Sequence, residues 1–193
     1  MIWKCMAGII LVGMLIVLRY LTSLPNRHDL TLVPQHDRRP FPIDFTLPNL
    51  QGDNVTLSEQ RGRVILLNFW ATWCYPCRAE MPSINAAFTQ YQPEGLLVLA
   101  IASDTQGEET VRSFARYHAL TFPILLDPQD VVGRRLQLPG IPASYVLDKQ
   151  GRIALAAFGA KDWDQRAMHR LFDALLVESN RHVFENSYHR KVN

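Results

Sequence analysis

Seven consecutive residues, Val64-Ile65-Leu66-Leu67-Asn68-Phe69-Trp70, carry no charge and a single polar side chain. A strand with one wet face alternates apolar and polar residues, so an unbroken apolar run predicts a strand covered on both faces. Such a strand has to sit inside a sheet with a layer packed on each side, which points to an α/β architecture. A second run of the same kind, Leu96 to Ala102, supplies a neighbour. The residues between the runs are enough for a crossover helix, expected over about 74–91 with Pro82 kinking it early.

The rest of the chain fills in around these strands. Ile43-Asp44-Phe45-Thr46-Leu47 and Val55-Thr56-Leu57 flank Gln51-Gly52-Asp53-Asn54, which predicts a hairpin in front of the main fold. Val111, Phe114, Ala115 and His118 fall at i, i+3, i+4 and i+7, one face of a second helix. Ile124-Leu125-Leu126 reads as a short strand, and 144–147 with 152–157 bracket Asp148-Lys149-Gln150-Gly151 as another hairpin. A last helix is expected from Asp162 as N-cap, burying Ala167, Met168, Leu171, Phe172, Leu175 and Leu176. The expected order is β, α, β, α, a β-hairpin and a final α, with helices on both faces of the sheet.

The two ends read differently. Residues 5–18 are uncharged and, extended by Ile2, Trp3, Tyr20, Leu21 and Leu24, approach the roughly 20 residues needed to cross a bilayer. No small-residue cleavage site follows, so residues 1–21 read as an uncleaved signal anchor. Lys4 favours a cytoplasmic amino terminus, yet Arg19, Arg27, Arg38 and Arg39 lie beyond the span, so charge alone does not orient it. Residues 22–40, with three prolines and no apolar period, read as a flexible spacer; 41–177 is the domain, and 178–193 a polar tail. The net charge is 20 − 18, or +2, without a clustered basic face, which argues against a nucleic-acid binder. Apolar content of 48% is too high for a disordered chain.

Three cysteines cannot make a disulfide scaffold, and Cys5 lies in the apolar N-terminal segment as a small apolar residue. The other two form Trp73-Cys74-Tyr75-Pro76-Cys77, directly after the buried strand and at the start of a helix. Residues three apart share a helix face, so the two sulfurs can close a disulfide within one turn. The unpaired amides and dipole at a helix N-terminus favour an anion, here a Cys74 thiolate with a pKa below the free value of about 8.5. Cys74, at the exposed first position, is the expected nucleophile. Cys77, one turn deeper, is the resolving thiol. Pro76 suits the first turn, where its missing N–H is not needed. Zinc would need more Cys or His ligands at suitable spacing than the chain offers.

At this point the chain resembles the TlpA/ResA-like membrane-anchored thiol–disulfide oxidoreductases of the thioredoxin superfamily, in its redoxin or AhpC-TSA-like branch. The likeness runs over about residues 41–177. It is carried by Leu66-Leu67-Asn68-Phe69-Trp70-Ala71-Thr72-Trp73-Cys74-Tyr75-Pro76-Cys77-Arg78-Ala79-Glu80-Met81-Pro82, by 122–127 and by 140–148. The resemblance implies a thioredoxin-like fold, a central mixed β-sheet flanked by helices with an added N-terminal β-hairpin. It implies a redox disulfide between Cys74 and Cys77, and a cis-proline at Pro142 that leaves the backbone of Ile141 free to pair with a client strand. Trp73, Tyr75 and Pro76 would border the client. Glu80, on the face of Cys77, would tune the thiols and accept a proton, the more so because Asn68 stands where thioredoxin itself has a buried aspartate. Phe158-Gly159-Ala160-Lys161-Asp162-Trp163 resembles a family loop of no derivable role, and His118 reads as a packed helix residue.

The activity so implied is reduction of protein disulfides, for example in cytochrome c maturation, on the periplasmic side of the bacterial inner membrane. It calls for protein substrates with cysteine pairs, a DsbD/CcdA-like membrane electron donor, no cofactor and no nucleic acid. Two alternatives share the fold. A copper-handling module is similar but has C-x₃-C with a distant histidine, where this chain has C-x-x-C. A peroxiredoxin-like peroxidase sets its threonine three residues ahead of the cysteine with a proline earlier. Here Thr72 is two ahead of Cys74 and that proline is absent.

Overall fold

The computed structural model describes residues 32–178. The expected anchor at 1–21, most of the spacer and the tail beyond 178 lie outside the described residues. Among those described, no helix is long and apolar enough to cross a membrane.

A five-stranded sheet organises the domain. Strands β3 (Val64–Trp70), β4 (Leu96–Ala102), β5 (Ile124–Leu126), β6 (Ala143–Leu147) and β7 (Ile153–Phe158) take the order β5-β4-β3-β6-β7. β3, β4 and β5 run parallel, whereas β6 and β7 are antiparallel, so the sheet is mixed. Every residue of β3 and β4 is buried, as the unalternating runs require. Full burial of side chains such as Leu66, Leu67 and Leu99 stabilises the fold by about 1.5–3 kcal/mol each.

The two faces are covered by different means. On one lie helices α1 (Tyr75–Tyr91), α2 (Glu108–Tyr117) and α4 (Arg166–Val177), marked by Trp70 against Phe114, and by Tyr91 and Trp163 against Phe172. On the other, Ile65, Leu67, Phe69, Leu97, Leu99 and Ile101 pack under Phe45, Leu57 and Val132. Those come from the N-terminal hairpin region and from a short helix α3 (Val131–Arg135) that the sequence did not announce. The hairpin strands β1 (Thr46–Pro48) and β2 (Asn54–Thr56) are shorter than expected and lie beside β5, where Asn49 bridges Leu125.

Two boundaries move. The last helix begins at Arg166, not after an Asp162 cap, and no side chain caps it. Asp162 instead accepts the Asp164 amide in a local turn, because Trp163 is drawn inward and the chain must turn before the helix can start. Residues 33–40, read as the end of a flexible spacer, are fastened to the domain. The Val33 amide donates to Ala154, the Ile153 amide to Arg39, and the Phe41 amide to Gly151. Arg38 is buried, pairing with Asp148 at 3.2 Å and with Glu178 at 2.5 and 2.8 Å. An ion network of this kind is invisible to composition, since each partner looks like a surface charge.

Candidate active site

β3 ends at Trp70, and the chain turns through Ala71, Thr72 and Trp73 into α1. The turn is held from the neighbouring strand end: buried Asp104 accepts the Thr72 amide at 3.0 and 3.2 Å and the Thr72 hydroxyl as well. Cys74 is the N-cap of α1, and its Sγ accepts the Cys77 amide at 3.3 Å. Cys74 and Cys77 are joined as a disulfide, with Cα atoms 5.3 Å apart. The helix N-terminus and this N–H both favour negative charge on the Cys74 sulfur once the pair is reduced.

Cys74 is less open than its first-turn position suggested. It keeps 5% of its surface and Cys77 keeps none, because Sγ of Cys74 turns inward, 3.8 Å from the Ile141 carbonyl. The exposed groups are its neighbours: Trp73 at 61%, Tyr75 at 78%, and Pro76 beside them. Pro142 is buried at the start of β6, and the Ile141–Pro142 bond is cis. Ile141 is half-buried. The Pro142 carbonyl accepts the Gly159 amide, which sets half-exposed Phe158 at the same end of the sheet. The sequence placed Phe158 only in a loop of no derivable role; strand register brings it beside Ala143 and Pro142.

Glu80 lies one turn after Cys77 and is buried, with only 2% of its surface exposed. Its Oε1 accepts Asn68 Nδ2 at 2.7 Å, while Oε2 accepts the Lys161 amide at 3.0 Å and Trp163 Nε1 at 3.4 Å. Burial pushes the Glu80 carboxyl above its ordinary range, and these three donors oppose that rise without cancelling it. Ser83, a turn further along α1, accepts the Trp163 amide at 3.0 Å and so pins the same loop. The 158–163 stretch thus acquires a role that its sequence did not disclose: its backbone and one indole hold the buried carboxyl. The signal available was Trp163 itself, a large aromatic set among Lys161, Asp162 and Asp164.

Behind Glu80, Asn68 Nδ2 also donates to Ser144 Oγ at 3.0 Å. Asn68 is fully buried, and its Oδ1 has no partner among the described residues, at a cost of about 1–3 kcal/mol. His118 caps α2 and lies tilted against Phe114 with ring centroids 4.2 Å apart, as a packed residue would be. Among the described residues no group of three or more His, Cys, Asp or Glu side chains is placed to hold a metal ion.

Comparison with known proteins gives concordant findings. The model of the AhpC/TSA family matches residues 38–156. Thiol-disulfide oxidoreductase ResA of Geobacillus thermodenitrificans is 38% identical over 110 residues, 57% of this chain and 63% of that protein. Thioredoxin-like protein YneN of Bacillus subtilis is 40% identical over 112 residues, 57% of this chain and 65% of that one. The match thus spans slightly under two thirds of these relatives. A Chlorobium tepidum crystal structure, described as a candidate thiol:disulfide interchange protein DsbE, superposes with a TM-score of 0.66. It is 31% identical and aligns over 72% of this chain and 98% of its own. The mixed sheet with its flanking helices is the thioredoxin-like fold of these neighbours.

Proposed function

The chain belongs to the AhpC/TSA family, and from that membership we propose that it is a thiol–disulfide oxidoreductase acting on cysteine pairs of client proteins. The observation that carries this reading is the Cys74–Cys77 disulfide at the first turn of α1, capped by the Cys77 amide and bordered by exposed Trp73 and Tyr75.

In the reductive direction the reduced Cys74 thiolate attacks one sulfur of a client disulfide. The client S–S bond breaks, a mixed disulfide forms on Cys74, and the other client sulfur leaves as a thiolate. Cys77 then passes its proton to Glu80 and attacks Cys74 Sγ. The bond between Cys74 and the client breaks, Cys74–Cys77 closes, and the released client thiolates take protons from solvent and from Glu80. Two electrons move from the enzyme to the client. Ile141, held ahead of cis-Pro142, offers its backbone to an extended client segment, and Trp73, Tyr75 and Pro76 border it.

We take reduction rather than oxidation, with apocytochrome c as a fitting client class, from the resemblance of the active-site stretch to the TlpA/ResA-like proteins. Each turnover leaves the enzyme oxidised, so a DsbD/CcdA-like membrane donor would restore the dithiol. Residues 1–21 would anchor the chain in the inner membrane with the domain on the periplasmic side. Residues 33–41 pair with the Gly151 to Ala154 end of the sheet, the end away from Pro142.

Insulin-disulfide reduction by the full chain tests the activity, and Cys74→Ser is expected to abolish it. A reduction potential near −250 mV or lower, set by equilibration with a redox couple of known potential, is expected of a reductant; a value near −120 mV would make the protein an oxidant.

A further inference from the structure

The buried groups behind the disulfide contain one mismatch. Asn68 Nδ2 spends both of its hydrogens, one on Glu80 Oε1 and one on Ser144 Oγ, while Oδ1 points away with no partner among the described residues. That orientation suits a Glu80 carboxylate, which only accepts. It does not suit a Glu80 carboxylic acid protonated on Oε1, which would set one donor against another at 2.7 Å. Oε2 is a poor place for the proton, because the Lys161 amide and Trp163 Nε1 already donate to it. Turning the Asn68 amide over removes the donor–donor clash: Oδ1 then accepts from the protonated Oε1, and Nδ2 takes the unpartnered place that Oδ1 leaves. The Ser144 hydroxyl, free to rotate, donates to Oδ1 where it had accepted from Nδ2.

We propose that Asn68 is the positioning residue that lets Glu80 take and release the Cys77 proton inside a closed core, its amide showing Nδ2 to the carboxylate and Oδ1 to the acid, with Ser144 reversing its hydroxyl in step. This rests on Glu80 as the proton acceptor of the resolving step. Asn68 touches no reacting sulfur in this account and acts only through Glu80. In the oxidised protein the titratable group acting on Glu80 is Lys161, from the loop before α4; Cys77, one turn earlier on α1, titrates only once the disulfide is reduced, and β3 and β6 present neutral Asn68 and Ser144. Burial of Asn68, Glu80 and Ser144 means that bulk water does not compete for these bonds.

The test is an NMR titration of the oxidised full chain in detergent micelles. It follows the Glu80 side-chain carboxyl, assigned by its absence in Glu80→Gln, and the Asn68 side-chain amide, assigned by its absence in Asn68→Leu. The expected result is that the Asn68 amide signals move with the same midpoint as the Glu80 carboxyl. In Asn68→Leu, which takes a charge-assisted donor from the carboxylate and only a weaker neutral acceptor from the acid, the Glu80 midpoint shifts upward. In single-turnover client reduction, the acid limb of the resolving step shifts upward with it. An Asn68 amide that stays still while Glu80 titrates overturns the proposal, and that observation needs no variant to fold. So does an unchanged or lowered Glu80 midpoint in Asn68→Leu. If instead Glu80→Gln leaves the pH profile of resolution as it is in wild type, Glu80 is not the acceptor; the amide titration then still reports whether Asn68 follows Glu80.

Discussion

Glu80 is a carboxyl group held inside the protein by donors from β3 and from a loop some 80 residues away in sequence. Its burial raises its protonation midpoint above the ordinary carboxylate range, and the direction fixes how it affects stability. A group that binds its proton more tightly when folded contributes stability that is full below the unfolded midpoint and is lost as pH rises through the folded one. Glu80→Gln, which removes the charge and keeps the shape, is therefore expected to raise Tm of the oxidised protein at pH 8 relative to wild type. The gap should close as pH falls to about 4, where the unfolded carboxyl also protonates. Calorimetry across that range checks this, and a gap that does not vary with pH would contradict it. The residue types themselves were legible: the cysteine pair, Glu80 and Pro142 could all be named from their spacing and family likeness. The partners of Glu80 were not, because hydrogen bonds to a backbone amide and an indole so far along the chain leave no local pattern.

At the scale of elements, the active-site turn depends on a contact between two strand ends. Asp104, just beyond β4, accepts both the amide and the hydroxyl of Thr72, two residues ahead of Cys74. Asp104→Ala would leave the half-buried Thr72 amide and hydroxyl without their acceptor, at an expected cost of about 1 kcal/mol in urea unfolding. Asp104→Asn, whose amide oxygen still accepts, should recover part of that loss. Client reduction should slow in Asp104→Ala more than in Asp104→Asn, since a looser turn holds the Cys74 sulfur less well. The strands and long helices followed from period: β3 and β4 from unbroken apolar runs, α2 and α4 from apolar stripes. Helix α3 did not. Its five residues, Val-Val-Gly-Arg-Arg, are too few to display a period, and it forms where Val132 can pack against the sheet.

Across the whole molecule, the start and the end of the described chain meet at one pole. Arg38 binds Asp148 of the β6–β7 turn and Glu178 after α4, and Lys149 Nζ donates to the Leu176 and Glu178 carbonyls. Arg38→Leu would leave Asp148 buried with Arg152 as its remaining cation. The expected loss is about 3 kcal/mol in denaturant unfolding, the low end for a broken buried pair because Glu178 keeps some exposure. Limited proteolysis should then cut within residues 33–40 in the variant and not in the wild type. If both resist equally, residues 33–40 are held by their backbone bonds alone.

The sequence by itself determined the central strands, the α/β class and which two cysteines sit close enough to pair. Each is written locally, in a run without alternation or in two cysteines three apart after a buried strand. Tertiary structure alone decided what surrounds Glu80, that Asn68 carries an unpartnered oxygen, that Cys74 is nearly closed, and that residues 33–40 belong to the domain. Those features arise where segments distant in sequence come into hydrogen-bond range, and only the packed core fixes which segments those are.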